Sequence, residues 1–191
     1  MEQQPDIVNH VIRTRRSIFP QSYIKKEIPR EIIETLLENA NYAPTHKLTE
    51  PWRFIVFSGD GLNKLAHFLS ERYRRQTPPE SFSQARYDAA GEKVLQSSHV
   101  IAINVALHPD KLPEWEEIAS VACAVQNIWL SASAYGIGSY WSSPGFLGEL
   151  AEYLEIPEDQ KCIGLYYLGY HEAGEIAARR TPIEGKVTWM E

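Results

Sequence analysis

Apolar positions near the start of the chain recur at helical spacing. Ile7, Val8, Val11 and Ile12 share one stripe with polar residues between them. The stripe runs out at Arg15-Arg16-Ser17, where the chain is expected to leave the helix. A second helix is predicted over PREIIETLLENANYA: Pro29 suits a first turn, and Ile32, Ile33, Leu36, Leu37 and Ala40 form the next stripe. Pro44 disfavours helical geometry at Ala43 and ends it. The period then changes. WRFIVFSGD reads as a short buried strand closed by a Ser-Gly-Asp-Gly turn, and SHVIAINVAL (98–107) reads as a second strand. Between them, residues 62–97 look helical but poorly apolar, with Arg72, Arg74, Arg75 and a Thr-Pro-Pro break at 77–79. They predict an exposed helical excursion or lid.

EEIASVACAVQNIWLSASAYG is the longest helical candidate, and it is apolar or small nearly all round, which predicts a central helix. Its run of alanines and serines allows close approach of another helix, inside the subunit or between subunits; Gly136 and Gly138 end it. GSYWSSPG predicts a third strand, GELAEYLEI an amphipathic helix and KCIGLYYLGY a fourth strand. The tail, 171–191, carries Val187 and Trp189 near its tip, and a tail of that kind is expected to lie on a surface. The order of elements predicts a single domain over 1–191, mixed α/β or α+β with one sheet. It lacks the regular βαβ alternation of a doubly wound fold.

Composition narrows the function classes. The chain has 191 residues, 43% hydrophobic and 23% charged, which suits one compact domain and argues against disorder. A net charge of −6 carries no footprint of a nucleic-acid binder. No apolar run approaches the roughly 18 residues needed to span a bilayer. MEQQPDIVNHVIRTRR lacks the apolar core of a signal peptide, so the expected location is cytoplasmic. Cys123 and Cys162 lie in apolar segments and are expected to be buried small hydrophobes.

Motifs for self-sufficient chemistry are missing. GIGSYW has only the first two glycines of a dinucleotide loop, and the chain has no H-E-x-x-H, C-x-x-C or G-x-S-x-G. The six histidines share no metal-ligand spacing, so no metal site is expected. An enzyme with this inventory would orient a cofactor that supplies the chemistry.

Three clusters could do so. Arg15-Arg16-Ser17 at a helix exit can hold a phosphate bidentately and bond sugar hydroxyls, or its arginines can simply complement the helix dipole. YAPTHKLTEPWRF carries Tyr42, His46 and Trp52, either as an ordinary loop pinned by a tryptophan or as the wall of a site. Tyr140-Trp141-Ser142-Ser143-Pro144-Gly145 puts an aromatic and two hydroxyls at a strand end, where a ligand or an ordinary turn would fit equally.

Taken together and in this order, the clusters are more specific. R-R-S near residue 15, A-P-x-x-x-x-x-x-P-W-R-F thirty residues on, a small-residue central helix and G-x-G-x-x-W resemble the FMN-dependent nitroreductase family. The nearest resemblance is to its short NAD(P)H nitroreductase branch, with A-P-x-H-K before P-W-R-F, and it spans about residues 7–170. The resemblance implies an α+β sandwich with a central, mostly antiparallel sheet flanked by helices. It implies a homodimer with FMN at the subunit interface and the C-terminal extension exchanged with the partner subunit. Arg15 and Ser17, with Arg16 between, would hold the phosphate and ribityl end, and Arg179 or Arg180 in the tail would add phosphate charge. Tyr42 and His46 match positions that approach the flavin, His46 from the neighbouring subunit; Trp141, Ser142 and Ser143 line it from the other side.

The implied activity is ping-pong hydride transfer from NADH or NADPH, through FMN, to a nitroaromatic, quinone or similar small acceptor, with no protein catalytic residue required. Two departures stand out. Leu48 and Glu50 occupy positions where the broader family commonly has Asn and Gln, and Ser142 stands where the nearest branch often has Arg. The loss of that cation motivates an alternative, a flavin-binding or flavin-sequestering protein with little turnover.

Overall fold

The computed structural model describes residues 4–191. The chain forms α1 (Gln4–Thr14), α2 (Arg30–Asn41), β1 (Trp52–Phe57), α3 (Asp60–Gln76), α4 (Gln84–Ala90) and α5 (Glu92–Gln96). These are followed by β2 (His99–Ala106), α6 (Glu114–Ala134), β3 (Ile137–Ser142), α7 (Leu147–Tyr153) and β4 (Gln160–Tyr170). The strands make one sheet in the order β1-β2-β4-β3, and every pairing is antiparallel. This is the α+β architecture expected.

The sheet is covered on both faces, which explains why β2 reads as an unbroken apolar run: all of its positions are buried. Alternate residues point to opposite layers. Ile101, Ile103 and Val105 of β2 pack with Tyr166 of β4 against Ile33 and Leu36 of α2 and Val121, Val125 and Ile128 of α6. Val100 and Ala102 pack with Leu165 and Tyr167 against Leu62, Leu65 and Phe68 of α3, Val94 of α5 and Leu150 of α7. Trp52 is buried at the start of β1, and its Nε1 donates to Oδ1 of Asn41 at 3.0 Å. It pins the 42–51 connection to the end of α2.

Residues 62–97 differ in part from a simple exposed excursion. They fold as helices broken at Pro78-Pro79, but Leu62, Leu65, Ala66, Phe68, Leu69 and Ser70 belong to the buried layer. Only the later part stands clear of the core. Its return is tight: a Cβ on Gly91 would come within 2.7 Å of the Ala66 Cβ, so glycine lets the α4–α5 joint lie on α3.

Two apolar surfaces find no core among the described residues. α1 is helical as its spacing predicts, yet it has no buried residue, and Ile7, Val8 and Ile12 are exposed. The tail from Gly174 onward is exposed as well, with Trp189 83% accessible. Its root is fastened by a bridge between Tyr23 and His171 and by the Glu172 N–H donating to the Ser22 carbonyl at 3.2 Å. α6 is also less enclosed than expected. Cys162 is buried on β4, whereas Cys123 on α6 is exposed, because α6 packs one side on the sheet and leaves another open. The expectation that both cysteines are buried is corrected at Cys123.

Candidate functional site

α1 ends at Thr14, and the next three residues turn along the edge strand β3, where the Ile18 N–H donates to the Ser139 carbonyl at 3.0 Å. This turn brings Arg15 over the indole of Trp129 on α6, 4.3 Å from the ring centroid. Nη1 of Arg15 is buried and has no hydrogen-bond partner. Burial disfavours its charged form, Tyr166 works in the opposite direction, and the nearby Arg180 and Arg16 disfavour the charge further. No carboxylate is among these influences. The chain thus sets two further guanidiniums near a buried, unpartnered donor.

Arg16 is used differently. Its Nε donates to the Ile176 carbonyl at 2.7 Å, and its Nη1 to the carbonyls of Arg13 and Arg15 at 2.6 and 2.8 Å. It straps the tail to the helix exit. Ser17 is exposed, and its hydroxyl makes no hydrogen bond among the described residues. Arg180 is exposed in the tail and donates through Nη1 to the Arg179 carbonyl at 2.9 Å.

The end of β3 supplies the second part of the site. Trp141 lies across β4, close against Gly164, and its Nε1 is buried without a partner. On the opposite face of β3, Ser142 opens into a cavity of about 480 Å³ shared with Tyr140, Tyr167, Phe146, Arg72 and Lys93. The floor is an aromatic column, Phe19 against Tyr140 at 4.8 Å and Tyr140 stacked on Tyr167 at 4.9 Å between centroids. Burial raises the Tyr140 phenol above its ordinary range, opposed by a hydrogen bond with Ser142, so it stays a neutral hydrogen-bonding group. Arg72 pairs with Glu149 at 3.1 Å and covers the Phe146 ring at 4.8 Å, which ties α3 to the loop after β3. Lys93 makes no ion pair among the described residues. Ser143 is exposed at the rim.

A larger cavity of about 550 Å³ lies on the other face of β3, between Arg16, Trp129, Ser133, Ser139, His171 and the root of the tail. β3 therefore runs between two cavities, with the arginine cluster at one end and the Ser142–Ser143 rim at the other.

The 42–50 loop forms a third, separate part. Tyr42 caps α2 and is 78% exposed. Nδ1 of His46 lies 2.6 Å from Oε2 of Glu116, and Lys47 Nζ donates to the Lys111 carbonyl at 2.7 Å. Lys47, Leu48 and Glu50 all have left-handed backbone, with φ of 51°, 54° and 42°. Non-glycine residues adopt that region at a cost, and such costs concentrate at binding loops. The loop is docked on the first turn of α6, whereas Arg15 sits against Trp129, thirteen residues further along the same helix. At the rise of an α-helix this separation is about 20 Å. Within one chain, His46 is not brought to the arginine cluster, whereas Tyr42 caps α2 beside the later part of α6, where Asn39 accepts from Asn127 Nδ2 at 3.0 Å and donates to Ser131 Oγ at 2.9 Å.

Lys93 is a cavity residue that the sequence reading did not single out. It stands in a five-residue helix with no motif around it, and only the return of 79–96 onto β3 places it there. Among the described residues no group of three or more His, Cys, Asp or Glu could hold a metal ion, and no helix is long and apolar enough to cross a membrane.

Known proteins share this fold. A Bacillus subtilis protein named "Putative NAD(P)H nitroreductase YfhC" is 26% identical over 98% of the chain and 96% of its own length. The crystal structure of a nitroreductase-like family protein from Bacillus cereus superposes with a TM-score of 0.80 at 26% identity, covering 100% of this chain and 99% of that one. The FMN-dependent nitroreductase NfnB of Mycobacterium smegmatis, solved in complex with NADPH, has the same fold, with a TM-score of 0.79 at 16% identity over 99% of this chain and 100% of its own. The model of the Nitroreductase family matches residues 12–170, from the helix that presents Arg15 to the last residue of β4, and to that family the chain belongs.

Proposed function

We propose that the chain is an FMN-dependent oxidoreductase that accepts a hydride from NADH or NADPH and delivers it, by a ping-pong scheme, to a nitroaromatic, a quinone or a similar small acceptor. The observation that carries this reading is Arg15. A half-buried guanidinium with an orphaned Nη1, beside two further arginines and no carboxylate, fits a phosphate better than it fits any internal partner. Arg15, Ser17 and Arg180 would hold the phosphate and ribityl end, with Arg16 fixing the turn that presents them.

FMN bound there supplies two-electron hydride chemistry. The chain's own part is to bind and orient. Tyr140 and Tyr167 offer a flat floor, Ser142 borders it with Ser143 next along the chain, Trp141 backs the strand from its other face, and Lys93 places positive charge where an electron-rich ring edge is favoured. That cation would stand in for the arginine that the nearest branch often carries at the Ser142 position. Tyr42 would approach the flavin, and His46 would reach it from a second copy of the chain, making the working unit a homodimer.

The visible spectrum of the freshly purified protein is the first test, with a flavin band expected. Arg15→Ala should lower FMN affinity by about tenfold or more, the scale of a lost charge-assisted hydrogen bond. Unchanged stoichiometry and affinity would remove Arg15 from the site. Anaerobic mixing with NADH and NADPH should bleach the band; a flavin that neither reduces would favour a binding role with little turnover.

A further inference from the structure

Two consecutive glutamates lie in the first turn of α6, and each takes a histidine. Glu117 is buried, with 1% of its surface accessible, and accepts from the His108 backbone N–H at 2.8 Å and its Nδ1 at 2.6 Å. That pair closes the turn between β2 and α6. Glu116 faces outward, and its Oε2 meets Nδ1 of His46 at 2.6 Å. Here the histidine side chain is 60% exposed and the glutamate 25%. An exposed ion pair adds little to stability. The loop is also held independently, by Lys47 on the Lys111 carbonyl, by the Glu50 N–H donating to Thr45 Oγ1 at 3.0 Å, and by Trp52 on Asn41. Anchorage alone does not account for a carboxylate held against an exposed imidazole.

We propose that Glu116 is a positioning residue for His46: it keeps a proton on Nδ1 and presents Nε2 outward, to the acceptor bound in a partner subunit's pocket. The inference rests on the function proposed above. An ionised carboxylate only accepts, so Nδ1 is the nitrogen that carries hydrogen. Nε2 lies on the far side of the ring and makes no hydrogen bond among the described residues. With the ring charged, Nε2 donates; with the ring neutral, it accepts. Carboxylates orient working imidazoles in the same way at metal centres and in hydrolase triads. The chemistry balances for a quinone acceptor. The hydride brings both electrons and one proton, and Nε2–H of His46 gives the second proton, yielding the hydroquinone. The neutral imidazole keeps its Nδ1 proton on Glu116, and solvent reprotonates the exposed Nε2.

The experiment compares wild type, Glu116→Gln, His46→Gln and the double variant, each purified with its flavin. Nitrogen-15 NMR should show the neutral His46 ring protonated on Nδ1 in the wild type and shifted toward Nε2 in Glu116→Gln. Quinone reduction should slow about tenfold in Glu116→Gln. In Glu116→Gln, FMN content and the rate of bleaching by NADPH should stay unchanged, and the double variant should reduce quinone no more slowly than His46→Gln. An unchanged acceptor rate in Glu116→Gln overturns the proposal. So do effects that multiply in the double variant, or a lower melting temperature with both half-reactions slowed equally. A colourless wild-type chain inert to both nicotinamides would sink the proposed function instead. The ring signals would then decide the Glu116–His46 link alone, and a tautomer unaffected by Glu116→Gln would refute it.

Discussion

Gly164 sits on β4 against the Trp141 indole, and a Cβ there would overlap Nε1. Glycine is required by this close approach, not by its backbone angles. Gly164→Ala should therefore destabilise the fold by about 1–3 kcal/mol, the range for overpacking, and should displace the tryptophan that borders the proposed flavin site. A lowered melting temperature with shifted tryptophan fluorescence is the expected result; an unchanged melt would mean that the indole is not held there. His99 acts through charge. It is 5% exposed at the start of β2, and burial, opposed by Glu27, holds its imidazole below the ordinary range. The native state thus binds that proton less readily than the unfolded chain. Its contribution to stability is complete above the unfolded value, about pH 6.5, and is lost as pH falls through the lower folded value. Urea midpoints should fall between pH 7.5 and 5.5 in the wild type and fall less in His99→Asn; equal slopes would assign the acid sensitivity elsewhere. Neither residue announced its role in the sequence, because each role is created by a neighbour distant along the chain.

At the scale of elements, the 42–50 loop carries the clearest strain. Leu48 is 82% exposed with φ of 54°, so its side chain gains little from burial while its backbone sits in a region that disfavours it. Asparagine tolerates that region better. Leu48→Asn should raise the melting temperature by about 2–4 °C, which corresponds to roughly 1 kcal/mol in a domain of this size. A lower melting temperature would contradict the left-handed geometry. The helices and strands themselves were legible, because 3.6-residue and continuous apolar patterns report directly on burial: β2 was readable from SHVIAINVAL and α2 from its stripe. The boundary of the exposed segment was not. Charged and apolar residues alternate through α3, and the half that becomes a core layer is separated from the rest only by tertiary packing. The strap made by Arg16 was equally hidden, since a guanidinium that binds three carbonyls and one that awaits a phosphate look identical in a string of letters.

At the scale of the whole molecule, the proposed pocket is incomplete in one chain. Arg15 stands on Trp129, Ser142 and Lys93 stand beyond β3, and His46 stands at the far end of α6. The unburied apolar surface points the same way. Ile7, Val8 and Ile12 on α1 and Ile183, Val187 and Trp189 on the tail are exposed, and none of the described residues buries them. Burying one such side chain contributes about 1.5–3 kcal/mol, so a second copy laid on these surfaces has ample driving force. A charge in the α1 stripe tests this without touching a residue of the pocket. Ile12 is exposed in the single chain, so Ile12→Asp should leave the melting behaviour of the monomer intact while weakening self-association by at least about tenfold. Sedimentation velocity should show a dimer for the wild type and a monomer for the variant at micromolar concentration. The flavin should follow the dimer, with FMN released as the variant dissociates and restored at concentrations where it reassociates. A variant that stays dimeric would place the interface elsewhere on the molecule. A monomer that keeps FMN at wild-type affinity would mean that Arg15, Arg180 and the β3 rim suffice, and that the 42–50 loop serves the acceptor alone.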